Sequence, residues 1–281
     1  MKKIVLIIGI GLLVQLSYAG GGWPSPKGKG YFKWSQYVIR SGSYYAPNGE
    51  IIDIATASVY ITSLYGEYGL TDKLTVIGYV PFFSRATLNE QVDANGNQIA
   101  PGDAVNSFGD TDISFKYGLI TNKPVVMSAS VTFGLPFGND AGGQTGVLQT
   151  GDGEFNTMIS LEASRGINQG KGYVNTLLAF NKRSNNFSDE WRWGVEVGHS
   201  LTSRLSGALK VYSVNSFNNG SDVETPSNGI FSNNIEYLAI TPELNYRIKE
   251  SFGLSTAVGF AASGRRVLAS PSFSIGLYLT I

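Results

Sequence analysis

The last stretch of the chain, SPSFSIGLYLTI at residues 270–281, has the pattern that decides the fold. Alternate residues on one side are apolar, and those between them are small or polar; the apolar ones are Phe273, Ile275, Leu277, Leu279 and Ile281. A period of two with one apolar face indicates a β-strand and not a helix. A transmembrane β-barrel pairs its last strand with its first, so that no strand edge is left in lipid. We therefore expect residues 270–281 to be the closing strand of a barrel.

The composition restricts the classes of protein to consider. The 281 residues are 42% hydrophobic and only 15% charged, with 35 Gly and no Cys. The lack of Cys excludes disulfides, thiol catalysis and Cys-based zinc sites. The formal net charge of zero argues against nucleic acid as a partner, because nucleic acid requires a strongly basic face.

The N-terminus has the features of a secretory signal. Lys2 and Lys3 precede an apolar run, residues 4–16, which ends at Ser17-Tyr18-Ala19. A positive start, a short apolar core and a small-x-small site predict a signal peptide over residues 1–19, cleaved after Ala19. The alternative, an uncleaved membrane helix, normally needs about 18 or more apolar residues. Residues 20–30 are rich in Gly, Pro and Lys, so we expect them to form an irregular leader before a barrel over residues 31–281.

Twelve segments with strand patterns follow the leader. They are Tyr31–Arg40, Asp53–Tyr68, Leu74–Phe83, Asp110–Leu119, Val125–Leu135, Glu154–Arg165, Tyr173–Asn181, Glu190–Ser200, Leu205–Ser216, Ile235–Arg247, Phe252–Ala261 and Leu268–Ile281. The connections after the even segments are short, whereas those over residues 84–109, 136–153 and 217–234 are long and polar. Short turns on one side and long loops on the other are typical of an outer-membrane barrel, with the turns in the periplasm. The sequence thus predicts an all-β, 12-stranded antiparallel transmembrane barrel.

Charged residues recur on one face of the clearest strands. In residues 110–119, Asp112 and Lys116 alternate with Ile113, Phe115 and Tyr117, and residues 190–200 and 205–216 repeat this arrangement. A soluble core does not hold charges as its recurrent residues, but a solvated lumen does. The phase is ambiguous in the first, third and tenth segments, and Pro242 in the tenth requires a bulge or a strand end.

Aromatic residues near the strand ends suggest interfacial girdles. Trp191 and Trp193 are expected at the outer end, and Tyr68, Tyr117 and Tyr246 at the periplasmic end.

Four stretches resemble a known family of barrels. They are GEYGLTDKLTVIGYVPF (66–82), FGDTDISFKYGL (108–119), VTFGLPFG (131–138) and GVEVGHSLTSRLSGALKVY (194–212). They are similar to outer-membrane barrels of the phenol-degradation meta-pathway (MetA-pathway) and transporter type. The resemblance implies passage of small, hydrophobic or aromatic compounds. No active-site motif accompanies the four stretches.

Six charged residues are candidates for the pore: Asp112, Lys116, Glu162, Arg192, Glu196 and Lys210. A turn centred on Ser203 would set Glu196 opposite Lys210, and we expect the other four to join the same network. The group would either form a constriction that sorts solutes by charge or simply fill a narrow lumen. The mixed signs argue against strong ion selectivity, because selective rings carry one sign.

Other motifs do not support chemistry. His199 is the only histidine, and the adjacent Ser200 points to the opposite face of a strand, so a catalytic pair is not expected. Residues 93–97 lack the spacing of a calcium loop, and the Gly-Lys at residues 170–171 lacks the residues of a phosphate loop. No catalytic residue, metal or cofactor is predicted.

The sequence therefore predicts an outer-membrane channel for passive passage of small molecules. The alternatives are a non-conducting binding or structural barrel and, less favoured, an outer-membrane hydrolase. The expected partners are a small solute, the barrel-assembly machinery and outer-membrane lipid, with Arg265 and Arg266 placed to meet lipopolysaccharide.

Overall fold

The computed structural model describes residues 21–221 and 231–281. The predicted signal peptide and its cleavage site lie outside these ranges. The strands are β1 (Gly30–Tyr45), β2 (Ile51–Gly69), β3 (Leu74–Leu88), β4 (Gln91–Val92), β5 (Gln98–Ala100), β6 (Asp103–Ser107), β7 (Thr111–Ile120), β8 (Val125–Leu135), β9 (Asn156–Ile167), β10 (Gly172–Arg183), β11 (Glu190–Ser200), β12 (Leu205–Ser216), β13 (Glu236–Lys249), β14 (Phe252–Arg265), β15 (Val267–Leu268) and β16 (Ser272–Thr280). In these ranges, no helix is long and apolar enough to cross a membrane.

Twelve of these strands form a closed antiparallel barrel. Each pairs with its neighbour in the order β1-β2-β3-β7-β8-β9-β10-β11-β12-β13-β14-β16, and β16 pairs back to β1. The closing register runs from Tyr31 opposite Thr280 to Ile39 opposite Ser272. The prediction that the last stretch closes a 12-stranded barrel is confirmed.

The structure corrects several predicted boundaries. β1 continues to Tyr45, β2 begins at Ile51 and β3 continues to Leu88, beyond the ends predicted for them. The segment predicted as a plain loop at residues 84–109 contains the hairpin β4–β5 and the strand β6, which pairs with the end of β3. Polar and small residues had suggested a loop here. β7 pairs only with the first part of β3, however, so the edge of residues 84–88 is free to pair with β6.

The connections fall into two sets. At the turn end, residues 70–73, 121–124, 168–171, 201–204 and 250–251 join the strands. At the loop end, the connections over residues 89–110, 136–155 and 217–235 are long, while those over residues 46–50 and 184–189 are short.

The outer surface of the barrel is apolar, as predicted. Ile275, 56% exposed, alternates along β16 with inward residues such as Gly276, and the predicted outward residues Phe115 and Leu209 are also exposed. The predicted girdle residues Trp191, Tyr68, Tyr117 and Tyr246 are exposed near strand ends. Side chains of this kind on a closed sheet match the hydrocarbon belt of a membrane barrel.

The structure shows which residues face the lumen in the strands whose phase was ambiguous in the sequence. In β1 Phe32 and Trp34 point outward, so Tyr31, Lys33 and Ser35 point into the lumen. In β3 a register shift opposite residues 62–64 of β2 changes the phase after Val80.

Pro242 lies inside β13, where the ladder to β14 is interrupted at residues 241–242 without a change of register. Neither of the two features expected at Pro242, a bulge or a strand end, occurs at this position, and the nearest irregularity lies between Leu238 and Ala239. Because β13 and β14 are not paired at residues 241–242, no hydrogen bond between them needs the N–H that Pro242 lacks.

The loop end of the lumen is filled on one side by apolar side chains. Leu148, from the connection over residues 136–155 (the inserted loop), is 1% exposed and packs with Val59, Ala86 and Val105. Val59 and Ala86 are inward positions of β2 and β3, so Leu148 sits inside the barrel.

Charged groups fill the opposite side of the loop end. The buried Arg183 guanidinium pairs with Glu154 at 2.7 Å, Glu190 at 2.9 Å and Asp152 at 2.5 Å. Its face lies 4.4 Å from the ring centroid of Phe187. The three carboxylates surround one guanidinium, which is the arrangement that a buried charge needs.

Candidate functional site

The leader before β1 enters the lumen. Gly21 O accepts a hydrogen bond from Lys116 Nζ at 2.7 Å, and Gly22 O accepts one from Ser128 Oγ at 2.6 Å. Gly22 N donates to Ser164 Oγ at 2.6 Å. These wall residues belong to β7, β8 and β9, so the start of the described chain is held against the inside of the barrel. Sequence reasoning had identified an irregular leader but not its place in the lumen.

The leader then leaves along the turn end. Ser25 N donates to Thr75 Oγ1 at 2.8 Å, Lys27 N to Asp72 Oδ1 at 3.1 Å and Gly28 N to Gly69 O at 2.9 Å. Trp23 packs edge-on against Tyr173, with 6.2 Å between the ring centroids. The segment over residues 21–29, which we call the lumen segment, is thus fixed at both ends.

The predicted pair Glu196 and Lys210 lies where the sequence placed it. The two residues are Cα partners across β11 and β12, although their charged atoms are 3.9 Å apart. The closer partner of Lys210 is Glu243 of β13, at 2.9 Å. Glu196 instead accepts a hydrogen bond from the Tyr173 hydroxyl. Glu243 was missed because its strand had no clear phase in the sequence.

The expectation of one shared charge network is wrong. Lys116 and Glu162 form a separate pair at 3.0 Å under the lumen segment, and Arg192 pairs with Glu190 at the loop end. Asp112 faces the lumen between Tyr79 and Gly134; it forms no ion pair within 4.0 Å in the described residues, although Arg192 acts on it electrostatically. All six predicted residues are on the inner face, but they are distributed over different strands and depths.

A cavity of about 370 Å³ occupies the turn end of the lumen. Its wall combines tyrosines with charged side chains, namely Tyr31, Lys33, Tyr65, Tyr79, Tyr173, Glu196, Arg204, Lys210, Glu243, Arg247 and Tyr278. Turn residues 202–204 are part of the wall, so the cavity lies next to that mouth. A concave site with aromatic walls and a few polar groups is the usual form of a small-molecule site.

The tyrosines form a continuous surface on one side of this cavity. Tyr31 stacks on Tyr278 with 5.7 Å between centroids and an interplanar angle of 24°, and it meets Tyr65 at 6.3 Å. Sequence reasoning missed this surface, because Tyr suits both a lipid interface and a wet lumen.

His199 has no catalytic partner in the described residues. It lies opposite Gly207 near the turn end, while Ser200 lies opposite Ser206. No hydrogen bond between the described residues joins His199 to either hydroxyl. Residues 21–221 and 231–281 also hold no group of three or more His, Asp or Glu side chains suited to a metal ion.

The Asp103 carboxylate ties the inserted loop to β6. It accepts hydrogen bonds from Thr145 Oγ1 at 2.6 Å, Thr145 N at 2.9 Å and Gln144 N at 3.0 Å. These bonds, the one from the Thr145 hydroxyl first, hold the pKa of Asp103 well below its usual value. The inserted loop is further closed by two backbone bonds between Gly142 and Leu148.

The comparisons identify solved structures with the same fold. An outer-membrane channel from Pseudomonas putida F1 is 13% identical, with a TM-score of 0.66 over 94% of this chain and 99% of its own. The NanC porin is 9% identical, with a TM-score of 0.52 over 89% of this chain and 100% of its own. The translocator domain of the autotransporter NalP from Neisseria meningitidis is 10% identical, with a TM-score of 0.52 over 94% and 90%.

No protein-family model and no curated protein matches the chain. The three structures perform different tasks on similar barrels, so at these identities the likeness concerns the fold. The chain has the fold of an outer-membrane β-barrel: closed, antiparallel and 12-stranded, with an apolar exterior. The resemblance to the MetA-pathway barrels stays a prediction.

Proposed function

We propose that the chain is an outer-membrane channel through which small molecules pass without covalent chemistry. The observation that carries this proposal is the cavity of about 370 Å³ between charged and tyrosine side chains, inside a barrel whose exterior is apolar. A barrel with only a structural task has no need of a roomy, charged space next to one mouth. The proposal includes export by a cleaved signal peptide over residues 1–19 and insertion by the barrel-assembly machinery.

Passage requires the inserted loop to move. Leu148 fills the loop end with an apolar side chain, and its neighbours Gln149 and Thr150 are also buried. Residues 145 and 150 of the loop donate hydrogen bonds to Asp103 and to Phe108 O, whereas Asp152 and Glu154, at the base of the loop, are tied to the barrel wall by ion pairs with Arg183 of β10. The tip of the loop around Leu148 would therefore swing out of the lumen above this anchored base, while the barrel stays closed.

Liposome swelling tests the channel with a panel of sugars, amino acids and small aromatic compounds. We expect slow swelling with wild-type protein and faster swelling with Leu148→Ala, because the smaller side chain gives up about 2–5 kcal/mol of packing that keeps the loop inside. Leu209→Ala, a change on the lipid-facing surface, is the matched control and should not alter the rate.

The rival with a specific observation in its favour is a non-conducting barrel. The lumen segment and Leu148 both occupy the interior, as they would in a barrel that only presents its loops to a partner. Folded protein that supports no swelling, with or without Leu148→Ala, would favour this rival. A hydrolase would instead require His199→Ala to abolish a measured activity.

A further inference from the structure

Lys33 is the cavity lysine that has no carboxylate beside it. Among residues 21–221 and 231–281 no carboxylate oxygen lies within 4.0 Å of its ammonium group, whereas Lys116 and Lys210 each have such a partner. The nearby Glu243 is occupied by Lys210 and by Asn245 Nδ2, each at 2.9 Å. The side chain of Lys33 is half-buried, so this charge lacks a full water shell, and it shares the electrostatic attraction of Glu243 with Lys210 without touching that carboxylate.

Tyrosines flank Lys33 on both neighbouring strands. Its Cα partners are Tyr65 of β2 and Tyr278 of β16, and Tyr31 precedes it on the same face of β1. The stem of Lys33 lies over Gly276, where an added Cβ would come within 2.7 Å of Lys33 Cε. The glycine therefore leaves room for the lysine to reach the cavity beside the stacked rings of Tyr31 and Tyr278.

The cavity as a whole is cationic. Lys33, Arg204, Lys210 and Arg247 contribute four positive charges, against two negative charges from Glu196 and Glu243. Lys210 lies 2.9 Å from Glu243 and 3.9 Å from Glu196, whereas Lys33, Arg204 and Arg247 have no carboxylate oxygen within 4.0 Å among the described residues, so the excess positive charge lies on Lys33 and on the two arginines at the mouth.

We propose that this cavity binds small organic anions that carry a flat ring, with the anionic group on the Lys33 ammonium and the ring against Tyr31 and Tyr278. The ammonium supplies a charge-assisted hydrogen bond, and the rings supply a flat apolar face. This inference rests on the proposed channel for its biological meaning, but it concerns binding and does not depend on conduction.

Calorimetric titration of the detergent-solubilised protein tests the proposal with three probes. Benzoate has both features, benzamide keeps the ring without the charge, and acetate keeps the charge without the ring. We expect benzoate to bind at least tenfold more tightly than either of the others. Equal binding of benzoate and benzamide, or no binding of benzoate, would overturn the proposal even if the protein conducts.

Variants assign the effect to Lys33. Lys33→Gln should weaken benzoate binding at least tenfold and leave benzamide unchanged, Lys33→Arg should restore benzoate, and the exposed turn change Lys73→Gln should have no effect. Undiminished benzoate binding by Lys33→Gln would contradict the proposal. The heat-dependent gel shift of a folded barrel shows which variants are folded, and the comparison of probes on the wild type needs no variant. A failed channel would appear separately, as benzoate binding without liposome swelling.

Discussion

Lys116 is almost fully buried in the lumen although it carries a charge. Its ammonium pairs with Glu162 at 3.0 Å and donates to Gly21 O at 2.7 Å, so it supports both a charge partner and the lumen segment. Lys116→Met would leave the Glu162 carboxylate without its cation. We expect a loss of about 3–5 kcal/mol in the free energy of unfolding, which is typical when one partner of a buried pair is removed.

Denaturant unfolding in lipid vesicles measures this loss. The double variant Lys116→Met with Glu162→Gln should recover much of it, because no isolated charge remains. If the Lys116→Met protein were as stable as the wild type, water would solvate the Glu162 carboxylate well enough to replace Lys116, and the prediction would be wrong.

Lys210 controls the charge of the turn-end cavity. It lies between Glu243 at 2.9 Å and Glu196 at 3.9 Å, so Lys210→Glu would place three carboxylates together in the lumen. We expect the reversal potential in a planar bilayer under a salt gradient to shift toward cations. The same charge change at the exposed turn residue Lys123 should shift it far less. An unchanged potential for Lys210→Glu would remove Lys210 from the ion path.

At the scale of the element, the Asp103 carboxylate holds the tip of the inserted loop at residues 144–145, while Asp110 and Arg183 hold its base. The pKa of Asp103 lies below the ordinary aspartate value, so the ionised group and its bonds to the loop are favoured at all pH values above about 4. They are lost only as the pH falls through the lowered pKa of the folded protein. Asp103→Asn should loosen the tip of the loop at neutral pH, because an amide offers one acceptor oxygen where the carboxylate offers two.

A nitroxide label on a single cysteine at Ala141 reports loop motion without interference, since the chain has no Cys. We expect a mobile spectrum for Asp103→Asn, and an immobile one for wild type from pH 7 down to about 4. Asp93→Asn is the matched control, because Asp93 also has a lowered pKa but bonds only within its own turn. Equal mobility in all three proteins would mean that Asp103 does not hold the loop.

The lumen segment is the second inserted element, and Gly22 fixes its distance from the wall. A Cβ at this position would lie 3.0 Å from the backbone oxygens of Val126 and Glu162. Gly22→Ala should therefore cost about 1–3 kcal/mol of stability through overpacking. Gly78→Ala, where a Cβ meets nothing within 4 Å, should cost nothing by comparison. Equal stability of the two variants in denaturant would show that the segment is not held at the wall.

The sequence predicted those parts of the fold that depend on local alternation. β7, β8, β11, β12 and β16 repeat every two residues, and their facing could be read directly. β1 and β13 could not be assigned, because Tyr and Trp fit either face and Pro242 interrupts the pattern. Lys33 and Glu243 belong to these two strands, which is why their place in the cavity was missed.

Contacts between segments that are distant in the sequence could not be predicted from local alternation. Leu148 lies in a polar loop, and nothing near it in the chain indicates that it packs on Val59 and Ala86. The lumen segment likewise meets Ser128 and Ser164 only because the barrel closes around it. The charge pair Glu196–Lys210 was predicted because both residues flank one short turn.

At the scale of the whole molecule, the central claim is that the exterior of the barrel faces lipid and its charged lumen faces water. The alternating residues of β11 test this claim most directly. Single cysteines at Val195, Glu196 and Val197 can carry nitroxides, whose relaxation by oxygen and by a water-soluble nickel chelate reports lipid or water. In vesicles, we predict that the labels at 195 and 197 respond to oxygen and that the label at 196 responds to the nickel chelate. A label at 196 that responds to oxygen, or three labels that respond alike, would contradict the account.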